Sequence, residues 1–399
     1  MSASVPRRVL PLIVFAQFAC TSPWFAVNAV MPDLQRELGW PAAAVGTLTS
    51  AVQAGFIAGT LLFALLAVSD RFAPRRVFLA CALAGAACTL LALGSVRQYG
   101  ALLLWRALTG FFLAGIYPVG MKLAAQWYER GLGAALGWLI AALVLGSASP
   151  HLLRGLGADL PWTHVMQGVA ALTAGGGVVL FAFVPDAPAR PAGPVTLHWH
   201  ALAAVWTDRR LRASVFGYFG HMWELYTMWV LVPAILASRI GGAMQSYAAF
   251  GVLGAGAVGC AGGGLLARRF GSARVAQAQL AASGLCCFAA PWLLRAPASV
   301  FWLWLLVWGI TVSGDSPQFS ALTAANAPRS AVGSVLTLVN SVGFAISIVS
   351  IQLFVTLSEH WPLSLLLPWL GLGPLLGLLA LRPLLRADGR VDGAAGSLN

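Results

Sequence analysis

Long apolar stretches alternate with short polar knots along the whole of this 399-residue sequence. Ala43 to Val68 carries no charged side chain, nor does Val77 to Ser95, and between them stands Ser69 to Val77, SDRFAPRRV. One Asp and three Arg (Asp70, Arg71, Arg75, Arg76) cannot rest in hydrocarbon, so this knot marks a point where the chain leaves a membrane. Uncharged runs of about 20 residues are long enough to cross a bilayer as helices. The shorter polar/apolar alternation of a β-barrel is absent. The pattern predicts spans at 9–31, 43–68, 77–95, 101–123, 132–153, 165–184, 214–238, 246–267, 276–294, 299–325, 331–357 and 363–385. The expectation is an all-α polytopic membrane protein with twelve transmembrane helices in two pseudo-symmetric six-helix bundles. One bundle covers residues 1–185 and the other 212–386, with a cytoplasmic linker at 186–211 and a disordered tail at 387–399.

The halves echo one another. Arg268, Arg269, Phe270, Gly271, Arg274 and Val275 stand 198 positions after Asp70, Arg71, Phe72, Ala73, Arg76 and Val77. Repeats of this kind are the mark of transporter-like internal duplication. Pro185, Pro188, Pro191 and Pro194 keep the start of the linker extended. The run from His198 to Thr207 reads as an interfacial helix, closed by Asp208, Arg209, Arg210 and Arg212.

Composition agrees with the pattern. The chain is 59% hydrophobic and 9% charged, with mean hydropathy +0.82, whereas soluble domains carry about 25% charged residues. The net charge of +12 would suit a nucleic-acid partner, but its placement argues against one. With the N-terminus inside, 18 of the 24 Lys and Arg fall on the cytoplasmic side. Five fall outside, and Arg106 alone lies deep within a span. This is the positive-inside asymmetry, which puts both termini in the cytoplasm of a cell-membrane protein. The first apolar run continues past Trp24 to Met31, a full span rather than a cleavable signal peptide. All six cysteines (Cys20, Cys81, Cys88, Cys260, Cys286, Cys287) sit in apolar runs without metal-ligand spacing and read as packing residues. Gly175 to Gly177 lacks the Lys-Ser/Thr of a phosphate loop. No cofactor or metal is expected, and nothing has the spacing of an enzyme's catalytic cluster.

Twelve spans in two like halves, with a basic loop after the second and eighth, resemble the major facilitator superfamily of secondary transporters. The family's loop signature, G-x-x-x-D-R-x-G-x-R-R, is met by Asp70, Arg71, Arg75 and Arg76, with Leu66 and Ala73 in its glycine positions. The second copy keeps Gly264, Arg269, Gly271 and Arg274, with Arg268 in the Asp position. Arg106 and Gly110 supply the R-x-x-x-G of the fourth span. The antiporter signature of the fifth span is matched only partly, by Gly146 to Pro150. The resemblance implies alternating access, with the first, fourth, seventh and tenth helices lining a central cavity. It also implies that Asp70 caps the eleventh helix near Ser330 to Gly333 and that the loop arginines pair with Glu129. These residues would together form the conformational switch.

Only two acids, Glu224 and Asp315, fall deep within spans. A carboxylate at that depth costs several kcal/mol unless paired or wetted, so its presence has a cause. One cause is a buried ion pair with Arg106; the other is a proton or substrate site. His221 and Glu224 are three apart, share a helix face and suit proton relay. Gly314 and Pro317 predict a kink or unwound turn beside Asp315 and Gln318. Asn28, Arg106, His221, Glu224, Asp315 and Gln318 fall on the four helices the resemblance assigns to the cavity. The expected activity is proton-coupled transport of a small organic or inorganic anion, with Arg106 as counter-charge. The second reading is a proton-driven efflux antiporter for amphipathic compounds, and a non-transporting membrane sensor ranks below it. The expected partners are the lipid bilayer, a small solute and protons, and the protein is expected to work as a monomer.

Overall fold

The computed structural model describes residues 6–128, 132–186 and 203–395, and these are helical almost throughout. The first half contributes α1 (Val9–Leu38), α2 (Ala44–Leu65), α3 (Pro74–Gly94), α4 (Tyr99–Trp127), α5 (Leu132–Leu156) and α6 (Thr163–Phe183). The second contributes α7 (Arg209–Ala237), α8 (Gly242–Phe270), α9 (Ser272–Leu293), α10 (Ala298–Asn326), α11 (Val332–Ser358) and α12 (Leu363–Leu385). Local chemistry explains the ends. Gly39, at φ 68°, closes α1 with its N–H on the Gln35 carbonyl. Pro74 opens α3, where a missing N–H does no harm. Asp208 caps α7, its Oδ1 accepting the N–H groups of Arg210 and Leu211 at 2.7 and 2.8 Å.

Ten of these helices are long and apolar enough to cross a membrane. The other two, α7 and α9, are as long but more polar, with 29 and 22 residues. The reason is visible in their packing. His221 and Glu224 of α7 are buried, as is Ser283 of α9, and Ser283 is hydrogen-bonded to Glu224. These three groups face protein rather than lipid, so the polarity they bring carries no penalty there.

Besides α12, which is interrupted at Gly371, three helices are broken near their middles. α1 runs to Thr21, passes through a 3₁₀ turn at Ser22–Phe25 and resumes at Ala26. α4 stops at Leu113 and restarts at Tyr117, and α10 stops at Gly314 and restarts at Ser316. A proline, Pro23, Pro118 or Pro317, stands at the first or second position of each new segment. Proline removes a backbone donor and leaves carbonyls of the preceding turn free. Of the kink or unwound turn expected beside Asp315, the structure has a one-residue interruption in which Asp315 itself keeps helical angles, φ −80° and ψ −17°.

The repeat shows in glycine contacts. α2 lies against α4 so closely that a Cβ on Gly110 would stand 1.8 Å from the Val52 carbonyl oxygen. α8 lies against α10 in the same way, a Cβ on Gly259 standing 1.9 Å from the Ile310 oxygen. Gly110, read from the sequence as part of a signature, is thus a point where two backbones touch. Gly110→Leu and Gly259→Leu should each destabilise the protein by about 3 kcal/mol or more, because the obstacle is backbone. Melting in detergent followed by tryptophan emission measures this. Gly251→Leu, whose added side chain meets open space, should melt with the unsubstituted protein.

Of the linker, residues 187–202 lie outside the described residues, and Ala203–Thr207 is a short helix. The last helical segment runs on to Ala395, into the tail expected to be disordered from 387. Extending an existing helix needs no new nucleus, which is how an Ala- and Gly-bearing tail stays helical.

Candidate functional site

Glu224 sits at mid-depth on α7 and is 1% exposed. Its Oε1 accepts the indole N–H of Trp308 at 2.7 Å and the thiol of Cys287 at 3.2 Å. Its Oε2 accepts the hydroxyl of Ser283 at 2.9 Å. Ser283 also lies 3.2 Å from the Leu280 carbonyl, so its proton has two possible acceptors. His221, one turn earlier, does not join this cluster. Its Nδ1 lies 2.8 Å from Asp315 Oδ1, and both side chains are fully buried. The shared face of His221 and Glu224 thus serves two separate partnerships. The direct relay between them expected from their spacing is not formed.

Arg106 is fully buried and takes neither acid as partner. Its Nη1 donates to the Pro23 carbonyl at 2.9 Å and its Nη2 to the Trp24 carbonyl at 2.7 Å. These carbonyls belong to the break in α1; the Pro23 oxygen also accepts the Ala26 N–H, so Arg106 is its second donor. The guanidinium fork, five donors in one plane, fits a pair of adjacent carbonyls.

Around the break the two halves meet in an aromatic layer. Trp24 stacks on Phe344 at 5.6 Å and on Tyr226 at 6.1 Å, and Phe56 packs edge-on to Phe344 at 4.8 Å. A central cavity of only about 40 Å³ adjoins this layer. Its wall is aromatic and aliphatic, with Tyr117, Tyr218, Tyr226, Trp229 and Phe344 prominent. Its polar groups are Ser313, Ser316, Ser320 and Asn340, and no charged side chain lines it.

The two inter-half seams differ along their length. Toward the end opposite the SDRFAPRRV loop, α2 and α11 are joined by three hydrogen bonds. Ser347 Oγ donates to Gln53 Oε1 at 3.0 Å, Gln352 Nε2 to Ser50 Oγ at 2.8 Å, and the Ala43 N–H to Glu359 Oε1 at 3.1 Å. At that end of the second seam, Tyr247 of α8 packs on Gly155 of α5. At the basic end both seams are hollow. A cavity of about 400 Å³ separates Asp70 and Lys122 from Gly333 and Ser334, and one of about 840 Å³ lies between α5 and α8. A shallow vestibule of about 450 Å³ at the opposite end is bordered by Asn28, Asp33, His151 and Arg154.

The remaining candidates fall into place on this frame. Asn28 is bound to Thr49, amide to hydroxyl, at 3.0 Å. Gln318 is buried on the side of α10 that faces the 840 Å³ cavity. Asp70 pairs with Lys122, which also donates to the Ser69 carbonyl at 2.6 Å. Ala331, the N-cap of α11, has no side-chain group of its own with which to cap the helix. Arg75 pairs with Asp186 at 2.6 Å and lies over the Phe181 ring, while Arg71 and Arg76 are exposed. Glu129 lies outside the described residues. Ser283, Cys287 and Trp308 were not singled out from the sequence. Their signal was polarity within an apolar run, visible in α9 as Gln277, Gln279 and Ser283.

Twelve helices in two repeated halves, broken at the centre and closed at one end while hollow at the other, form the frame of a membrane transporter. The sequence profile of the Major Facilitator Superfamily matches residues 13–351. The chain belongs to that family, whose members are transporters and not enzymes. The chain is therefore a multi-pass membrane member of that family. It is 24% identical over 181 residues to the inner membrane transport protein YnfM of Escherichia coli (strain K12), a match covering 45% of this chain and 43% of that protein. The chain thus aligns with less than half the length of that relative. The fold is similar to that of the human organic anion transporter MFSD10 (TETRAN), with a TM-score of 0.73 and 16% identity, covering 94% of this chain and 99% of the other.

Proposed function

We propose that the protein is a proton-coupled transporter of the inner membrane that exports small amphipathic solutes, uncharged or cationic, by alternating access. The observation that carries this reading is the wall of the central cavity, which is aromatic and bears no charge; at about 40 Å³ the space admits a solute only once the halves part. Aromatic faces and a few hydroxyls suit a solute with a flat apolar body and one or two polar groups. Both terminal nitrogens of Arg106, the deep base that would have met an anion, are taken by the carbonyls of Pro23 and Trp24. Glu224 and the His221–Asp315 pair, shut away beside the cavity, are the proton-carrying groups of this reading. The excess of Arg at the loop end supports a cytoplasmic placement of both termini.

Uptake of an anion is the second reading. Its support is likeness of fold to an organic anion transporter. Purified protein in liposomes, given pH gradients of either sign, separates the two. Rhodamine 6G and uncharged aromatic amides should move against the proton flow, and benzoate or phosphate should not. Gradient-driven movement of the anions alone would end the export reading.

A further inference from the structure

Deep in the second half, α7 and α12 lie backbone to backbone, a Cβ on Gly220 standing 2.3 Å from the Gly373 carbonyl oxygen. Toward the basic end the same two helices leave a shallow groove of about 450 Å³. Arg209, Arg212 and Phe216 border it from α7, and Leu379, Arg382 and Pro383 from α12. Its floor is apolar and its rim carries three guanidinium groups. Among the described residues, none of the three is in an ion pair with an acid. Asp208, next in the chain to Arg209, turns its Oδ1 to the cap of α7. Three like charges around one groove repel one another, and an anion set between them removes that cost.

The apolar surroundings say which anion fits. Leu379, Leu376 and Leu372 are exposed along one face of α12, leading from the groove toward mid-membrane. In a chain that spans a bilayer, such a face lies against acyl chains. Trp206 is 66% exposed and packs edge-on to Phe216 at 5.9 Å, the setting of an aromatic ring at headgroup level. Arg212 donates to the Trp206 carbonyl at 2.9 Å and so holds the short helix Ala203–Thr207 beside the groove. A basic rim at headgroup level that continues into an oily track matches a whole phospholipid better than a free anion.

We infer that the groove between α7 and α12 is a binding site for an anionic phospholipid of the leaflet at the basic end. The phosphodiester rests among Arg209, Arg212 and Arg382, and an acyl chain follows Leu379 and Leu376. A headgroup held there also steadies Arg212, and through it the short helix that leads from the linker into the second half. The site is independent of the solute carried and of its direction of movement.

The test uses full-length protein stripped of lipid in a neutral detergent and titrated with phosphatidylglycerol or with phosphatidylcholine of the same chains. Native mass spectrometry counts the lipid bound. Phosphatidylglycerol should bind about tenfold more tightly than phosphatidylcholine. Arg209 and Arg382 make no hydrogen bond among the described residues, so Arg209→Gln and Arg382→Gln should melt with the unsubstituted protein in detergent alone. Each should weaken phosphatidylglycerol binding about fivefold, the worth of one basic side chain at an anionic surface, and leave phosphatidylcholine binding unmoved. Arg8→Gln removes an exposed charge at the same end, outside the groove, and should bind phosphatidylglycerol as the unsubstituted protein does. Equal binding of the two lipids, or an equal loss in Arg8→Gln, would overturn the site. Unchanged phosphatidylglycerol binding by both groove variants would do the same. Displacement of the lipid by millimolar inorganic phosphate would replace the inference with a site for a free anion.

Discussion

Glu224→Gln is expected to remain folded and to exchange solute between equilibrated compartments, while losing all accumulation driven by a pH gradient. The hydrogen bonds around Glu224 suit both of its protonation states. As a carboxylate it accepts from Trp308, Cys287 and Ser283. Once protonated at Oε2 it donates to Ser283, whose own proton turns to the Leu280 carbonyl. Glutamine reproduces the second arrangement, with its amide nitrogen in the place of the acidic hydroxyl. The variant is therefore fixed in the protonated pattern and has no proton to release. Glu224→Ala differs in kind, because it orphans two donors, those of Trp308 and Cys287, while Ser283 keeps the Leu280 carbonyl, and it should cost about 1–3 kcal/mol for each bond left unmade. Dye export from liposomes with and without a pH gradient reads the first effect, and thermal melting reads the second. Undiminished gradient-driven export by Glu224→Gln would remove this residue from the coupling role.

The other large effect concerns Arg106. Replacing it with methionine takes a charged donor from each of the Pro23 and Trp24 carbonyls, leaving Pro23 only the Ala26 N–H, and melting should fall by the equivalent of about 2–5 kcal/mol. Arg106→Lys should recover part of this loss, since an ammonium has three donors but no fixed fork. The outcome to watch is selectivity. A guanidinium that braces a helix break affects every solute alike, whereas one that meets substrate affects anions first. Arg106→Lys melting normally while losing only anion binding would reinstate the counter-charge.

The contrast between these residues shows what the sequence can carry. Helix positions follow from the length of apolar runs, and the break at Asp315 follows from Gly314 and Pro317, because both are local properties of the chain. Partners of buried polar groups are not local. His221 and Glu224 lie three residues apart on one helix, yet each turns to a different point of contact. Asp315 stands at the break in α10, while Trp308 and Ser283 approach from α10 and α9. Arg106 invited pairing with an acid because only charges were weighed. The competing acceptors were uncharged carbonyls, announced in the sequence by nothing louder than Pro23 within the first span. The two helices too polar to pass as spans, α7 and α9, carried the same message. Their hydropathy falls where Glu224 and Ser283 meet.

The three hydrogen bonds that join α2 to α11 at the closed end bear on how readily the protein cycles. Ser347 to Gln53, Gln352 to Ser50 and Ala43 to Glu359 all cross between the halves. Each such bond has a net worth of about 0.5–1.5 kcal/mol, since water takes its place when it parts. Interlocked aliphatic side chains would resist separation, because opening them exposes oily surface to water. A polar clasp gives way with little net change in free energy, and it re-forms only in the one register where donors again find acceptors. Such a gate can be opened by a modest push, such as one proton moved, and still shut true on every return.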